Sequence, residues 1–444
     1  MFNRSTFRFA ALLCLGSFPT WAQQLNTAKL DSLLNGLAAN HKMMGSLALS
    51  HDGHVVYSRA FGDAQVTPAV AATPATHYRV GSISKVFTAT MIMQLVEEKK
   101  LTLSTPLATF FPQLPNAAAI TVDQLLNHRS GLHSLTDDAA YLTYMTQPKT
   151  QAELLAIMAA PKPDFEPGAK HAYSNTNYIV LGYIVEKLTR MPYAQALQKR
   201  VAARVGLKNT YYGGKIGPQK LEAQSYESTG PGWKLSPETD MSIPGGAGAV
   251  VSTPADLDRF LEALFGGKLV SAASLEQMKT MRDGYGLGLI LLKFDGKPSY
   301  GHNGAIDEFQ SSMSYFPDAK LAAALCTNGH TYSLNEAMLG VLSIYFGKPY
   351  RIPNFAATAF TPAPADFDRY VGTYANTQVP FKITFSRDGN TLKSQASGQP
   401  AFVMEGVRKD VFKYDPAGIL IEFDAAQSTF KLKQAGQEIE FKKE

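Results

Sequence analysis

Apolar residues recur along the chain at two periods. Leu30, Leu33, Leu34 and Leu37 fall at helical spacing. Ser46–Ser50 and His54–Ser58 alternate around His51-Asp-Gly53, a pattern that predicts a β-hairpin. Further strands are predicted at 288–293, 310–315 and 321–327, and helices at 86–98, 177–187 and 254–265. Strands at both ends of this stretch, with helices between, predict an α+β plan in which the terminal strands join one antiparallel sheet.

Beyond residue 350 the pattern changes. Pro353, Pro362 and Pro364 lie among Ala, Thr and Phe without periodicity, so 351–366 reads as a linker. From Tyr370 to Lys443 short alternating segments follow one another, among them 381–385, 419–423, 429–433 and 438–441. Asp388-Gly-Asn390 and Pro416-Ala-Gly418 supply turns. About eight such strands predict a small all-β unit, an up-and-down barrel or a sandwich.

The N-terminus has the order of an export signal: Arg4 and Arg8, the apolar stretch 9–18, then Thr20-Trp-Ala22 before Gln23. Leu13 is too large to precede a lipid-bearing Cys14. The apolar stretch is too short to span a bilayer and no run of about 18 apolar residues occurs, so a soluble, exported protein is expected, periplasmic or secreted. The expected divisions are a leader at 1–22, a main domain at 23–350, the linker at 351–366 and the β-unit at 367–444.

Composition narrows the function. A length of 444 residues, 45% hydrophobic and 18% charged, fits a globular chain of a few domains. A formal charge of +5, without a dense basic run, argues against a nucleic-acid partner. With Cys14 in the leader only Cys326 remains, at the end of the apolar run 321–326, where it reads as a small buried hydrophobe. Met43, Met44, Met91 and Met93 read as core filler. The nine histidines form no metal-ligand spacing, and Gly245-Gly-Ala-Gly248 lacks a P-loop lysine. That glycine run reads as a close backbone approach near a pocket, and neither metal nor cofactor is expected.

Three short patterns carry chemistry: Ser82-Ile-Ser-Lys85, Tyr173-Ser-Asn175 and His302-Asn-Gly304. Each has a decoy, at Ser428-Thr-Phe-Lys431, Tyr374-Ala-Asn376 and His51-Asp-Gly53. Context separates them. Ser82 opens a helix, so Lys85 lies three residues on along the same face, within reach of the hydroxyl. Ser428 sits in strand-like sequence, where residues three apart point to opposite faces. Tyr173-Ser-Asn175 follows the turn Phe165-Glu-Pro-Gly168 and reads as a loop beside the site. Taken singly, Ser82 is an N-cap, Tyr173 a packed aromatic and His302 a satisfied polar group. Taken jointly, they are a site.

In this order and spacing the patterns resemble the Ser-x-x-Lys, Tyr-x-Asn and Lys/His-x-Gly set of the penicillin-recognising serine hydrolases. That superfamily includes class C β-lactamases, DD-peptidases, D-aminopeptidases and related esterases. The flanks 78–89, 125–132 and 173–182 resemble it too, over roughly residues 25–350. The tail resembles the barrel appended to some D-aminopeptidase-like and archaeal relatives.

The resemblance implies a β-lactamase-like α/β sandwich around a central antiparallel sheet, followed by the barrel. It implies Ser82 as acylated nucleophile, Lys85 as base, Tyr173 as proton relay and Asn175 as orienter of Lys85 and the substrate amide. Ser82 and Ala305 N–H groups would hold the oxyanion. His302, with Asn303 and Gly304, takes the place where class C β-lactamases carry a lysine and a threonine. A neutral histidine there weakens recognition of an acidic substrate terminus.

The expected activity is therefore cleavage of amide or ester bonds in small molecules or peptides, first as a D-residue peptidase or esterase. A class C-like β-lactamase comes second, and a non-catalytic binding or assembly protein is the rival; homo-oligomers occur among relatives. The sequence leaves open whether Lys85 or Tyr173 is the working base, because the two titrate as a coupled pair.

Overall fold

A computed structural model describes residues 25–444 except 231, 356–359, 361 and 435. The leader expected at 1–22 lies outside the described residues, as does part of the linker.

The central sheet has six strands: β1 (Met43–His51), β2 (His54–Phe61), β3 (Ile290–Phe294), β4 (Lys297–Ile306), β5 (Phe309–Phe316) and β6 (Leu321–His330). Their order is β3-β4-β5-β6-β1-β2, every pair antiparallel. The N-terminal hairpin thus completes a sheet begun by the C-terminal strands, and His51-Asp-Gly53 is its turn.

The unbroken apolar run of β6 has a structural cause: both of its faces are buried. Leu321, Ala323 and Leu325 join one hydrophobic core with α1 (Thr27–Ala39) and Leu334–Tyr345. Ala322, Ala324 and Cys326 join the other, which is built on α2 (Ser84–Glu97), α3 (Asn175–Thr189) and α4 (Pro254–Phe265). The helix Leu334–Tyr345, α5, has no counterpart among the elements predicted above. Cys326 is a buried free thiol, as its neighbours predict.

In α2 every residue from Ser84 to Leu95 is buried, so this helix lacks a polar face and runs through the core. Met91 and Met93 are part of that filling. Phe87 stacks on Phe260 of α4 at 3.9 Å between ring centroids.

Eight strands, β7 (Gly372–Ala375), β8 (Ile383–Asp388), β9 (Thr391–Ala396), β10 (Phe402–Arg408), β11 (Val411–Tyr414), β12 (Ile419–Asp424), β13 (Thr429–Gln434) and β14 (Gln437–Lys443), form a closed antiparallel barrel. Closure runs through Tyr374 opposite Lys443. The interior is filled by rings, including Tyr370, Tyr374, Phe385, Phe412, Phe423, Phe430 and Phe441. Eight strands leave an interior about wide enough for side chains alone. Of the two all-β alternatives, the barrel is the one present.

Two local readings need correction. Ser428 is not on a strand: it precedes β13 with φ of 56°, in the turn that reverses the chain. Asn175 is not on the loop with Tyr173 but is the first residue of α3, because the helical period extends two residues upstream of the apolar run.

Candidate active site

Ser82 sits on a short helical turn, Gly81–Ile83, that runs directly into α2. Two glycines press this turn against β4. Gly81 has φ of +51°, and a Cβ there would lie 2.7 Å from the Ala305 backbone nitrogen. At Gly304 a Cβ would lie 2.0 Å from the Val80 carbonyl oxygen. Ser311 Oγ donates to that same carbonyl at 2.8 Å, pinning β5 to the turn.

Lys85 follows one turn later with its whole side chain buried. Its Nζ has three neighbours: Ser82 Oγ at 2.9 Å, Asn175 Oδ1 at 2.8 Å and the Ala247 carbonyl at 2.9 Å. Ala247 belongs to the Gly245–Gly248 turn, where a Cβ on Gly246 would lie 2.6 Å from the Tyr178 carbonyl. The glycine run is thus a close backbone approach, and it brings a carbonyl to the lysine.

Burial holds the Lys85 amine well below the ordinary lysine pKa. The ring faces of Tyr173 and Tyr178, 4.8 and 5.7 Å from Nζ, favour an ammonium by about 1 kcal/mol. Desolvation without a carboxylate partner among the described residues is the larger effect.

Tyr173 lies on the loop before α3, with its hydroxyl 2.8 Å from Ser82 Oγ. Desolvation raises its phenol pKa, an effect that solvent moderates because 39% of the residue is exposed. Asn175, heading α3, turns Oδ1 to Lys85 and donates one amide N–H to Thr136 Oγ1 at 2.9 Å. The second contact fixes which end of the amide meets the lysine. Ser82, Lys85, Tyr173 and Asn175 are therefore brought together, from segments 90 residues apart.

His302 lies in β4 next to this group, but both ring nitrogens are engaged. Nδ1 contacts the Asn303 carbonyl oxygen, which only accepts, so Nδ1 carries the proton. Nε2 then accepts from Tyr285 Oη at 2.8 Å. Tyr285 has spent its proton, so His128 Nε2–H donates to it at 3.1 Å, and His128 Nδ1 accepts from the Ser174 N–H at 3.1 Å. One proton assignment satisfies the whole chain. Burial lowers the His302 pKa to about 3, with the nearby Lys85 adding to the effect, so the ring stays neutral. As tied, His302 is a wall of the site with no proton to exchange with Tyr173, whose ring centroid is 6.4 Å away.

Two cavities meet at Ser82. One, of about 330 Å³, is lined by Leu135, Tyr141, Met145, Ile179, Ile243 and Ile306, with Asn175 and Thr136. Behind it Arg79 is buried in an ion pair with Asp307 at 2.9 Å, which consumes that carboxylate. The other, of about 550 Å³, holds Tyr173, His302, Asn303, Gly304 and Ala305. Among the described residues no group of acidic, histidine or cysteine side chains is arranged to hold a metal.

The Beta-lactamase family model matches residues 30–339. This chain belongs to the Beta-lactamase family. It is a serine hydrolase of that family. Penicillin-binding protein 4 of Amycolatopsis lactamdurans is 30% identical over 378 residues, covering 77% of this chain and 95% of that one. The D-amino acid amidase of Ochrobactrum anthropi SV3, solved with L-phenylalanine, superposes with a TM-score of 0.65 at 29% identity, covering 72% of this chain and 98% of that one. The octameric penicillin-binding protein homologue of Pyrococcus abyssi gives 0.66 at 25% identity and covers 94% of this chain and 100% of that one.

Sequence reasoning missed Tyr285 and Thr136, which belong to no motif. It noted the segment around His128 only as a flank. Their roles depend on tertiary contacts with residues 17 or more positions away, on which local pattern is silent.

Proposed function

We propose that this Beta-lactamase-family serine hydrolase cleaves amides or esters of D-amino acids through an acyl-enzyme at Ser82. The observation that carries the reading is the set of contacts at Ser82 Oγ, with Lys85 on one side and Tyr173 on the other. A neutral amine has two N–H donors and one lone pair. Asn175 Oδ1 and the Ala247 carbonyl take the donors, leaving the lone pair for the Ser82 hydroxyl proton. Tyr173, kept protonated, donates to the same oxygen. Lys85 is then the base and Tyr173 the acid.

In the reaction, Ser82 passes its proton to Lys85 as Oγ attacks the carbonyl carbon. Backbone N–H groups of Ser82 and Ala305 receive the oxyanion, worth about 3–4 kcal/mol per donor. Collapse breaks the bond to the leaving nitrogen or oxygen, which takes the Tyr173 proton while Lys85 restores it. Water then attacks the ester, with the roles reversed.

The D-amino acid reading rests on likeness to an amidase of that class, and on an apolar cavity beside Asn175 suited to an aliphatic or aromatic acyl side chain. We also propose export, which the Arg4–Ala22 pattern supports. The test compares kcat/KM on D- and L-phenylalanine amide, a p-nitrophenyl ester and a chromogenic cephalosporin. Preference for the D-amide or the ester is expected; faster cephalosporin turnover than either would sink the assignment.

A further inference from the structure

The larger cavity at Ser82 is not made by the hydrolase fold alone. Pro416, Ala417 and Gln434 of the barrel form its outer wall, opposite Tyr173 and His302. The wall is held in place from several sides. Lys42, just before β1, pairs with Asp415 at 3.0 Å, both side chains largely buried. Gly418, with φ of +62°, seats against the first turn of α5, where a Cβ would come 2.6 Å from Glu336 Cγ and 3.2 Å from Ser333 Oγ. Gln434 Nε2 donates to the Ala417 carbonyl at 2.9 Å, tying strand β13 to the turn.

Geometry also says which part of a substrate this cavity receives. Tyr173, the proton donor in the proposed reaction, lines this cavity and not the smaller one. The leaving atom must face that donor, so the leaving group lies on the barrel side and the acyl group in the apolar cavity.

The polar lining is neutral throughout. Asn303, Gln310, Ser333, Asn335 and Gln434 offer amides and hydroxyls, and no lysine, arginine, aspartate or glutamate is among the lining residues described. Two cations joined to the wall, Lys42 and Lys413, both engage Asp415. A carboxylate entering here would lose its water and meet no counter-charge.

We propose that the barrel wall at Pro416, Ala417 and Gln434 completes the leaving-group pocket and restricts it to uncharged leaving groups, such as neutral alcohols and carboxamide-terminated amines. This rests on the acyl-enzyme reading above. It excludes the acidic C-terminus of a peptide as the preferred leaving end. A cavity of about 550 Å³ also has room for a leaving group well beyond ammonia.

The test uses the whole chain and two D-alanyl esters, of glycolamide and of glycolate, which differ only in a terminal carboxamide or carboxylate. Wild type is expected to favour the carboxamide at least tenfold in kcat/KM. Gln434→Lys, at an exposed position, should narrow that ratio at least tenfold, chiefly by lowering KM for the carboxylate ester. Ala417→Trp should slow a D-alanyl ester of a bulky neutral alcohol at least tenfold more than it slows D-alanine methyl ester. Fluorophosphonate labelling of Ser82 in the same samples separates the two levels. Labelled protein with no carboxamide preference, or with ratios unmoved by both variants, overturns the wall and leaves the serine hydrolase standing. No labelling and no turnover of either ester overturns both.

Discussion

A neutral Lys85 has a consequence for stability that needs no substrate. In the unfolded chain the amine titrates near 10.5, whereas burial favours its neutral form in the folded chain. Folding therefore releases a proton, and raising the pH favours the folded state throughout the window between the lowered folded pKa and 10.5. The slope is about 1.4 kcal/mol per pH unit for one group. Between pH 7 and pH 9 this residue's contribution should rise, by up to about 2.7 kcal/mol.

Lys85→Met keeps the length of the side chain and removes the titration. It also deprives Asn175 Oδ1 and the Ala247 carbonyl of a donor, a pH-independent cost of about 1–3 kcal/mol for each orphaned group. Urea unfolding at pH 7, 8 and 9 can be followed by Trp233, which packs beside Gly329 of the central sheet; no tryptophan occurs in the barrel. The stability of wild type relative to Lys85→Met should rise across the range, by up to about 2.7 kcal/mol. Parallel pH dependence in the two proteins would mean that Lys85 is charged when folded, and the base assignment would fall.

Other perturbations follow from the same contacts. Tyr173→Phe should fold normally and lose about 10²–10⁴ in kcat/KM on amides, less on esters whose alcohol leaves more readily, as steady-state kinetics will show. Gly304→Ala forces a Cβ onto the Val80 carbonyl; a loss of about 1–3 kcal/mol in urea melts is expected, with slowed labelling of Ser82. Asp258 on α4 is fully buried with both carboxylate oxygens unpartnered, and burial, with Glu262 nearby, raises its pKa. The folded state thus holds a proton that the unfolded state releases, so this group's contribution to stability falls as pH rises through the window above 3.8. Asp258→Ala should be about 1 kcal/mol more stable at pH 7 and lose that dependence; a destabilised variant would show that the carboxyl has a partner.

The parts of this protein legible in its sequence are those set by local pattern. The hairpin at His51-Asp-Gly53, the two-sided strand 321–326 and the barrel's alternating segments each carry their period in consecutive residues. The three motifs were legible because Ser82 and Lys85 are one turn apart, and Tyr173 and Asn175 two residues apart. What sequence could not show depends on side chains brought from elsewhere. Tyr285 explains why His302 is tied, yet nothing local distinguishes it from other tyrosines. The resemblance set His302 among the catalytic groups, whereas Tyr285 and Asn303 occupy both of its ring nitrogens. The proposed choice of Lys85 over Tyr173 as base rests on burial and on Asn175 and Ala247 as acceptors, which only the folded chain supplies. Pro416, Ala417 and Gln434 read as turn and strand residues of the barrel, and their place beside Ser82 depends on how the barrel docks.

The central claim is that residue 82 is an activated nucleophile. Intact-mass analysis of the protein after exposure to a fluorophosphonate, beside Ser82→Ala, tests it most directly. The account predicts one adduct on wild type and none on the variant. Folded wild type without an adduct, or an adduct that survives in Ser82→Ala, would contradict it.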